Sequence, residues 1–464
     1  MIQAFSNAAM PRRAPLARAT SWRWVPAAIL ASLALCPPAL AGGLDQRETA
    51  MLAWIDAHTG QAETLLEELV DINSGTMNAP GVRTVGARLA KEFDALGFDT
   101  QWVDLPPETQ RAGDLFARRE GNRGRKVLMI GHLDTVFEPS DSFQKFTREG
   151  DTAHGPGVND MKSGDLVILY AIKALASVGA LDGARITVAY TGDEESPGQP
   201  LAVSRRDLIA AGKWADVALG FEAGVREDGQ EWATVARRSS SEWLLDVTGK
   251  RAHSAGIFNE ATGAGAIFEA ARILDGFYNE VRGERYLTFN AGSIVGGTEV
   301  QYDPEETRGS AFGKTNVVPS HVIVQGGLRT ISPEQTERAR EAMRQVVARH
   351  LPHTDATITF TDGYPPMAPT AGNLQLQQML SDINVALGGK PMPALDPGKR
   401  GAADISFVAP YTDALAGLGP YGKGAHTPRE TLDLASFPVA IKRTALLLYR
   451  LTRESKPGAG GGAG

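Results

Sequence analysis

One cysteine, Cys36, stands in the whole chain of 464 residues, and it falls in a leader-like segment at the amino end. The remainder can therefore form no disulfide and can offer no thiolate to a metal ion. Any metal must be held by histidine and carboxylate. An excess of basic charge is also missing: 47 Lys and Arg face 54 Asp and Glu, for a net −7. That excludes the positive face that nucleic-acid phosphates require. No internal repeat is present. The composition, 42% hydrophobic and 22% charged, excludes a disordered chain, a fibre or a membrane bundle. The apolar run at 24–35 is too short to span a bilayer and is followed by Pro37 and Pro38.

That run belongs to a three-part pattern. Arg12, Arg13, Arg18 and Arg23 form a basic lead without acids, the apolar stretch follows, and Ala39-Leu40-Ala41 closes the segment. The pattern predicts a secretory signal over 1–41, cleaved after Ala41, and hence a periplasmic or secreted protein without a stable membrane anchor.

Beyond the leader, apolar spacing predicts a helix over 45–70, then strands at 126–130, 185–190 and 215–221 and a helix at 166–176. Strands alternating with helices imply an α/β layer, a mostly parallel sheet with helices on both faces. From Ser241 the pattern changes. Strands at 243–247, 286–295, 322–328 and 356–360 and helices at 265–277 and 333–350 make two strand–helix–strand units, the outline of a ferredoxin-like α+β domain. After Pro365-Pro366 the first pattern resumes and ends in an amphipathic stretch at 438–451. The organisation predicted is an α/β domain in two segments, 42–240 and 365–455, with a second domain over 241–364 inserted between them. A Gly/Ala-rich tail over 456–464 is expected to be disordered.

In open α/β sheets, ligands collect beyond the carboxyl ends of the strands. Three predicted strands run there into metal-capable groups: Gly131-His132-Leu133-Asp134, Thr191-Gly192-Asp193-Glu194-Glu195, and Glu222 directly after Phe221. A fourth, Asp160, sits in the glycine-rich loop Gly155-Pro156-Gly157-Val158-Asn159-Asp160-Met161-Lys162 ahead of a helix. Nitrogen and oxygen donors without sulfur suit zinc, manganese or cobalt in a catalytic site.

Gly131-His132-Leu133-Asp134-Thr135-Val136, then Gly155-Pro156-Gly157-Val158-Asn159-Asp160-Met161-Lys162-Ser163-Gly164, then Asp193-Glu194-Glu195, in this order and spacing, resemble the aminoacylase/glutamate carboxypeptidase family of di-zinc exopeptidases. The resemblance covers roughly residues 61–447 and includes the inserted domain, which serves such enzymes as lid and dimer interface. It implies two zinc ions, with manganese or cobalt as alternatives. His132, Asp160 and Glu222 would hold one; Asp160, Glu195 and His426 would hold the other, Asp160 bridging. A bridging carboxylate sets two cations about 3.5–4 Å apart, where the pair polarises a carbonyl and ionises a shared water. His426 lies in Gly424-Ala425-His426-Thr427-Pro428-Arg429-Glu430, which is similar to the family's last ligand motif. Asp134, two residues after His132, suits the role of accepting the imidazole's other N–H. Glu194, adjacent to a ligand, suits the general base, with Asp193 in support.

In the inserted domain, His253 within Gly249-Lys250-Arg251-Ala252-His253-Ser254-Ala255-Gly256 resembles the lid histidine that reaches a partner subunit's site to stabilise a developing oxyanion. Asn316 and Arg329 resemble substrate-positioning groups, Arg329 offering a planar fork to a carboxylate. The loop Gly401-Ala402-Ala403-Asp404 resembles the one lining the substrate's carboxylate end. The implied activity is hydrolysis of an amide next to a free carboxylate, in a small peptide or an N-acyl amino acid, by a homodimer. A metal-free binding protein on this fold is the reading from another class, and the presence of all five ligand positions and Glu194 weighs against it.

Two features depart from the pattern. Glutamate carboxypeptidases, the branch most resembled, carry an arginine between glycine and proline at the exit from the lid; this chain has Gly363-Tyr364-Pro365. A polar insertion over 301–314 precedes the Asn316 motif. The first weakens the case for an acidic released residue, and the second reshapes the edge of the lid.

Overall fold

The computed structural model describes residues 43–454. The expected signal segment and the expected disordered tail lie outside the described residues. Among those described, no helix is long and apolar enough to cross a membrane.

A six-stranded sheet forms the larger layer, in the order Asp99–Val103, Asp114–Arg119, Ala184–Thr191, Arg123–His132, Val217–Gly220, Asp413–Leu415. Only Asp114–Arg119 runs against the rest, pairing antiparallel with both neighbours. The other pairings are parallel. The central strand explains its own sequence. Val127 and Met129 enter one apolar core while Leu128 and Ile130 enter another on the opposite face, as the two-residue period of a strand dictates. A strand covered on both faces reads as a continuous apolar run. Helices Gln46–Val70, Lys162–Ser177 and Ser436–Leu451 pack against one another within the first core. Arg206–Trp214 and Ile405–Val408 belong to the second.

The two chain segments of this layer are stitched together at their extremes. Asp45 caps the first helix and forms a capping box with Glu48. The same two carboxylates accept from the last helix, Asp45 from the Tyr449 hydroxyl at 3.0 Å and Glu48 from Arg450 Nε at 2.8 Å.

The second sheet is antiparallel throughout, in the order Thr288–Gly297, His321–Arg329, Ser240–Gly249, Thr354–Tyr364. With helices Ala266–Gly276 and Pro333–Val347 it gives the expected ferredoxin-like arrangement. Trp243, Leu245, Val247, Phe277, Met343 and Val346 fill its core. Much of the polar insertion forms a hairpin, Glu299–Asp303 paired with Arg308–Phe312. Tyr302 fastens this hairpin to the sheet through hydrogen bonds to Ser293 Oγ at 2.7 Å and Gln325 Oε1 at 2.8 Å.

Candidate metal centre

Strands Ala184–Thr191, Arg123–His132 and Val217–Gly220 are parallel neighbours, so their carboxyl ends deliver His132, the Asp193-Glu194-Glu195 segment and Glu222 to one sheet edge. Asp160 arrives from the loop before helix Lys162–Ser177, and His426 from the loop between Gly422–Lys423 and Thr431–Asp433. His426 takes a left-handed backbone conformation, φ 62°, uncommon for a residue with a Cβ.

The donor atoms converge. His132 Nε2 lies 3.3 Å from Asp160 Oδ1, and His426 Nε2 lies 3.2 Å from Asp160 Oδ2 and 3.0 Å from Glu195 Oε2. The two oxygens of Asp160 thus face two different imidazoles, as a bridging carboxylate would. His132, Asp160 and Glu195 each place a ligand atom within 4.8 Å of the others. Among buried polar atoms, His132 Nε2 and Glu195 Oε1 have no hydrogen-bond partner, a costly state unless a cation takes them up.

Electrostatics agree. Burial opposes charge on His132, but Asp134 and Asp160 overcome it and raise its pKa well above the usual imidazole value. Asp160 and Glu195 push His426 up to about 10. Burial opposes ionisation of Asp160, yet the two histidines hold it well below the usual carboxylate range. A cluster of acids that recruits charge from imidazoles is one that a divalent cation would satisfy, and nitrogen and oxygen donors fit zinc, manganese or cobalt.

Asp134 is fully buried and organises the neighbourhood. Its Oδ1 accepts from the Glu194 backbone N–H and its Oδ2 from the Glu195 N–H, both at 3.0 Å, and Oδ2 also from Thr76 Oγ1 at 2.6 Å. The His132 ring meets it differently from expectation. Nδ1 lies 3.1 Å from the Asp134 carbonyl oxygen and 3.4 Å from Oδ1. The carboxylate is committed to the Glu194-Glu195 turn, so the backbone carbonyl is the better-placed acceptor.

Glu194 lines a pocket with His132, Glu222, Arg237 and Asp404. Burial raises its pKa well above the usual carboxylate value; His132 opposes this, and Glu222, Asp404 and Glu195 add to it. Glu222 lines the same pocket, but its Oε2 accepts from Arg237 and, at 3.3 Å, from Arg400. Burial and then Arg237 bring the Arg400 guanidinium down to about 10, against the pull of Glu222.

Three residues of this neighbourhood were assigned no role from the sequence. Arg205 is fully buried, its Nε 2.8 Å from Asp404 and its Nη1 2.5 Å from Asp193. Tyr364 joins this pair to the base: its hydroxyl accepts from Arg205 Nη2 at 3.0 Å and donates to the Glu194 carbonyl at 2.9 Å. Glu430, buried in the His426 loop, accepts backbone N–H bonds from Gly157, Asn159 and Asp160 at 3.1, 2.8 and 2.9 Å. Glu430 had a signal in its place in the last ligand motif, and Tyr364 in standing where the resembled enzymes carry an arginine. Nothing in Ser204-Arg205-Arg206 marks a buried cation.

The lid residues lie apart from this cluster in their contacts. His253 and Asn316 are exposed neighbours: a β-bridge joins His253 to Val317, and Ser254 N donates to the Asn316 carbonyl at 3.0 Å. His253 Nδ1 accepts from Ala255 N at 3.1 Å. Arg329, exposed at the end of its strand, approaches the catalytic layer, and a Cβ placed on Gly401 would lie 3.8 Å from its guanidinium.

Comparison with known proteins follows the same lines. The family model described as peptidase family M20/M25/M40 matches residues 128–450, more than half of the chain. Carboxypeptidase G2 of Pseudomonas sp. (strain RS-16) is 27% identical over 83% of this chain and 88% of that enzyme. Succinyl-diaminopimelate desuccinylase of Cupriavidus necator is 26% identical over 80% of this chain and 94% of that one. Among solved structures, a dinuclear metal-binding peptidase of family M20 from Bacillus subtilis superposes with a TM-score of 0.58 at 16% identity. It covers 86% of this chain and 99% of its own, and shows the shared fold.

Proposed function

This chain belongs to peptidase family M20/M25/M40, and from that premise we propose that it is an exported carboxypeptidase that removes the last residue of a small peptide. The observation that carries this reading is the two-sided placement of Asp160 between His132 and His426, beside a half-buried glutamate that is not part of that cluster, Glu194. The proposed ligands are His132, Asp160 and Glu222 for one ion and Asp160, Glu195 and His426 for the other, zinc in both positions. Such ions supply Lewis acidity and lower the pKa of water.

The chain's own residues do the rest. Glu194 takes the proton from the attacking water and returns it to the departing amine; its burial favours a carboxyl able to hold that proton in between. Asp134 and Tyr364 fix the backbone on which Glu194 is carried. Arg329 receives the substrate's terminal carboxylate and Asn316 orients the peptide. His253 makes its contacts within the lid, so we assign it to the site of a partner subunit, and with it a homodimer formed through the lid. Export rests on the signal-like pattern of residues 1–41.

A second reading is favoured by the likeness to a desuccinylase: the same centre would remove an acyl group from an amino acid. Hydrolysis of a panel of dipeptides and N-acyl amino acids with added zinc separates the two. Glu194→Ala is expected to lower the rate by roughly 10²–10⁴. Zinc binding with no release from any substrate would refute both readings and favour a binding protein.

A further inference from the structure

The inserted hairpin lies along the open face of the lid sheet. On strand Ser240–Gly249, Trp243, Leu245 and Val247 enter the lid core, and on His321–Arg329 Val322, Val324 and Leu328 do so. The two-residue period therefore turns Glu242, Leu244, Gln325 and Arg329 to the opposite face. Gln325, buried, fixes the hairpin there: it accepts from the Tyr302 hydroxyl and donates to the Pro304 carbonyl and to Glu242 Oε2, both at 3.1 Å. The hairpin tip thus closes a groove of about 590 Å³ between the lid sheet and the loop that follows Glu195. Glu242, Leu244 and Thr361 line it from the sheet, Glu305 from the tip, and Pro197 and Gln199 from the loop. Tyr364 lines it too, and its hydroxyl donates to the Glu194 carbonyl, so the groove and the proposed base share a wall.

Among the described residues no Lys, Arg or His lines this groove. Of its acids, Asp362 is paired with Arg340 at 2.5 Å, whereas Glu242 and Glu305 have no ion-pair partner among the described residues. Glu242 pairs in register with Gly327, so Arg329 stands diagonally across from it on the same face. Such positions lie about 7–8 Å apart, roughly the reach of two extended residues. The two opposite charges form no ion pair with each other, which leaves one for an anion and the other for a cation. We propose that Glu242 and Glu305 are specificity-determining residues, forming a subsite for an alkylammonium group on the acyl side of the scissile bond while Arg329 holds the carboxylate on the other side. The inference rests on the hydrolase reading above and narrows its substrates to short peptides carrying a positive charge there, on the amino end or on a basic side chain. Uncompensated carboxylates attract a cation and repel an anion, and Leu244 and Pro197 offer apolar surface to its aliphatic stem. The same charges weigh against a diacid acyl group. Glu305 belongs to the polar insertion, so the subsite is a feature of this chain's own lid.

The test uses three compounds that share a released residue and an acyl chain of one length: 5-aminopentanoyl-L-alanine, N-hexanoyl-L-alanine and N-adipoyl-L-alanine, ending in ammonium, methyl and carboxylate. For the zinc-loaded protein, kcat/KM is expected to rank ammonium above methyl above carboxylate, with about tenfold or more between first and last. Glu242→Gln and Glu305→Gln are each expected to cut that ratio about threefold, and the double variant to bring it near unity. The ratio should also shrink at high salt, which a merely structural loss would not produce. Glu305→Gln, on an exposed turn, decides if Glu242→Gln does not fold. Comparing N-acetyl-L-lysyl-L-alanine with L-alanyl-L-alanine then assigns the subsite to a basic side chain or to the amino end, whichever is preferred. A flat or reversed ranking in wild type, or a ranking that survives in the double variant, overturns the proposal. If none of the three is cut, their calorimetric binding decides: charge-ranked binding would sink the hydrolase reading and leave the subsite standing, and binding without that ranking, or none, overturns both.

Discussion

Asp134 grips Glu194 by its backbone: the buried carboxylate accepts the Glu194 N–H at 3.0 Å and, through its other oxygen, the Glu195 N–H at the same distance. One side chain therefore sets the proposed base and a proposed ligand in register with each other and with His132, whose ring leans on the Asp134 carbonyl. Asp134→Asn keeps the shape but turns one acceptor into a donor facing an N–H or the Thr76 hydroxyl. Groups that orient metal ligands typically contribute 10–100-fold in metal affinity or activity, so a loss of roughly that size is expected in zinc binding. Chelator competition measures it. Activity should stay reduced at saturating zinc, because Glu194 is displaced along with Glu195.

Tyr364 predicts a separable effect. Its hydroxyl links the Glu194 carbonyl to Arg205, which is itself buried between Asp193 and Asp404. Tyr364→Phe leaves a carbonyl and one guanidinium N–H unpaired, at a cost of roughly 1–3 kcal/mol. The expected variant melts at lower temperature and has a reduced kcat with little change in KM, since the base is loosened and Arg329 is untouched. A KM effect alone would move Tyr364 from supporting the base to contacting substrate.

The catalytic strands were legible because their period and their ends carry the signal. The run through Val127, Leu128, Met129 and Ile130 is apolar on both faces and stops at His132, so the strand and the metal-capable residue announce each other. The lid was legible from two strand–helix–strand units. The edge strand Asp99–Val103 and its neighbour Asp114–Arg119 were not: the first is a short polar stretch with no fully buried position, and the second opens on an aspartate and closes on two arginines. Arg205 escaped for a different reason: a buried cation is defined by partners at 193, 364 and 404, which only the fold assembles. The crowding of Arg237 and Arg400 on Glu222 is equally a product of tertiary structure.

Acid stability should depend on a clamp that includes none of the proposed metal ligands. Arg443, buried in the last helix, donates to Glu231 at 2.6 Å and to the Tyr421 hydroxyl at 2.9 Å. Burial raises the Glu231 pKa, but Arg443 and Asn384 outweigh it and the net shift is downward from 4.5. A carboxylate with a depressed folded pKa stabilises the fold above its unfolded value, and that contribution is lost as pH falls through the folded one. Arg443→Met leaves Glu231 without its cation, and breaking a buried pair in this way costs roughly 3–5 kcal/mol. Urea unfolding near neutral pH should show the loss, and it should shrink as pH falls below 4.5 and through the depressed folded pKa of Glu231.

Glu430 carries the opposite sign. It ties the His426 loop to the Asp160 loop through three backbone N–H groups, yet burial outweighs those bonds and lifts its pKa from 4.5 to about 7. A carboxyl whose folded pKa is raised binds its proton more tightly when folded, so stability is full below 4.5 and falls as pH rises to about 7. Glu430→Gln removes that titration. Its amide oxygen can keep the Asn159 and Asp160 bonds, while its NH₂ faces the Gly157 N–H and loses that one. Chelator-treated Glu430→Gln is therefore expected to unfold with a flatter pH dependence across this window than chelator-treated wild type. With zinc added, its affinity should fall, because the Asp160 loop is held by two bonds instead of three. An unchanged pH slope together with unchanged zinc affinity would show that Glu430 neither titrates in this range nor positions Asp160.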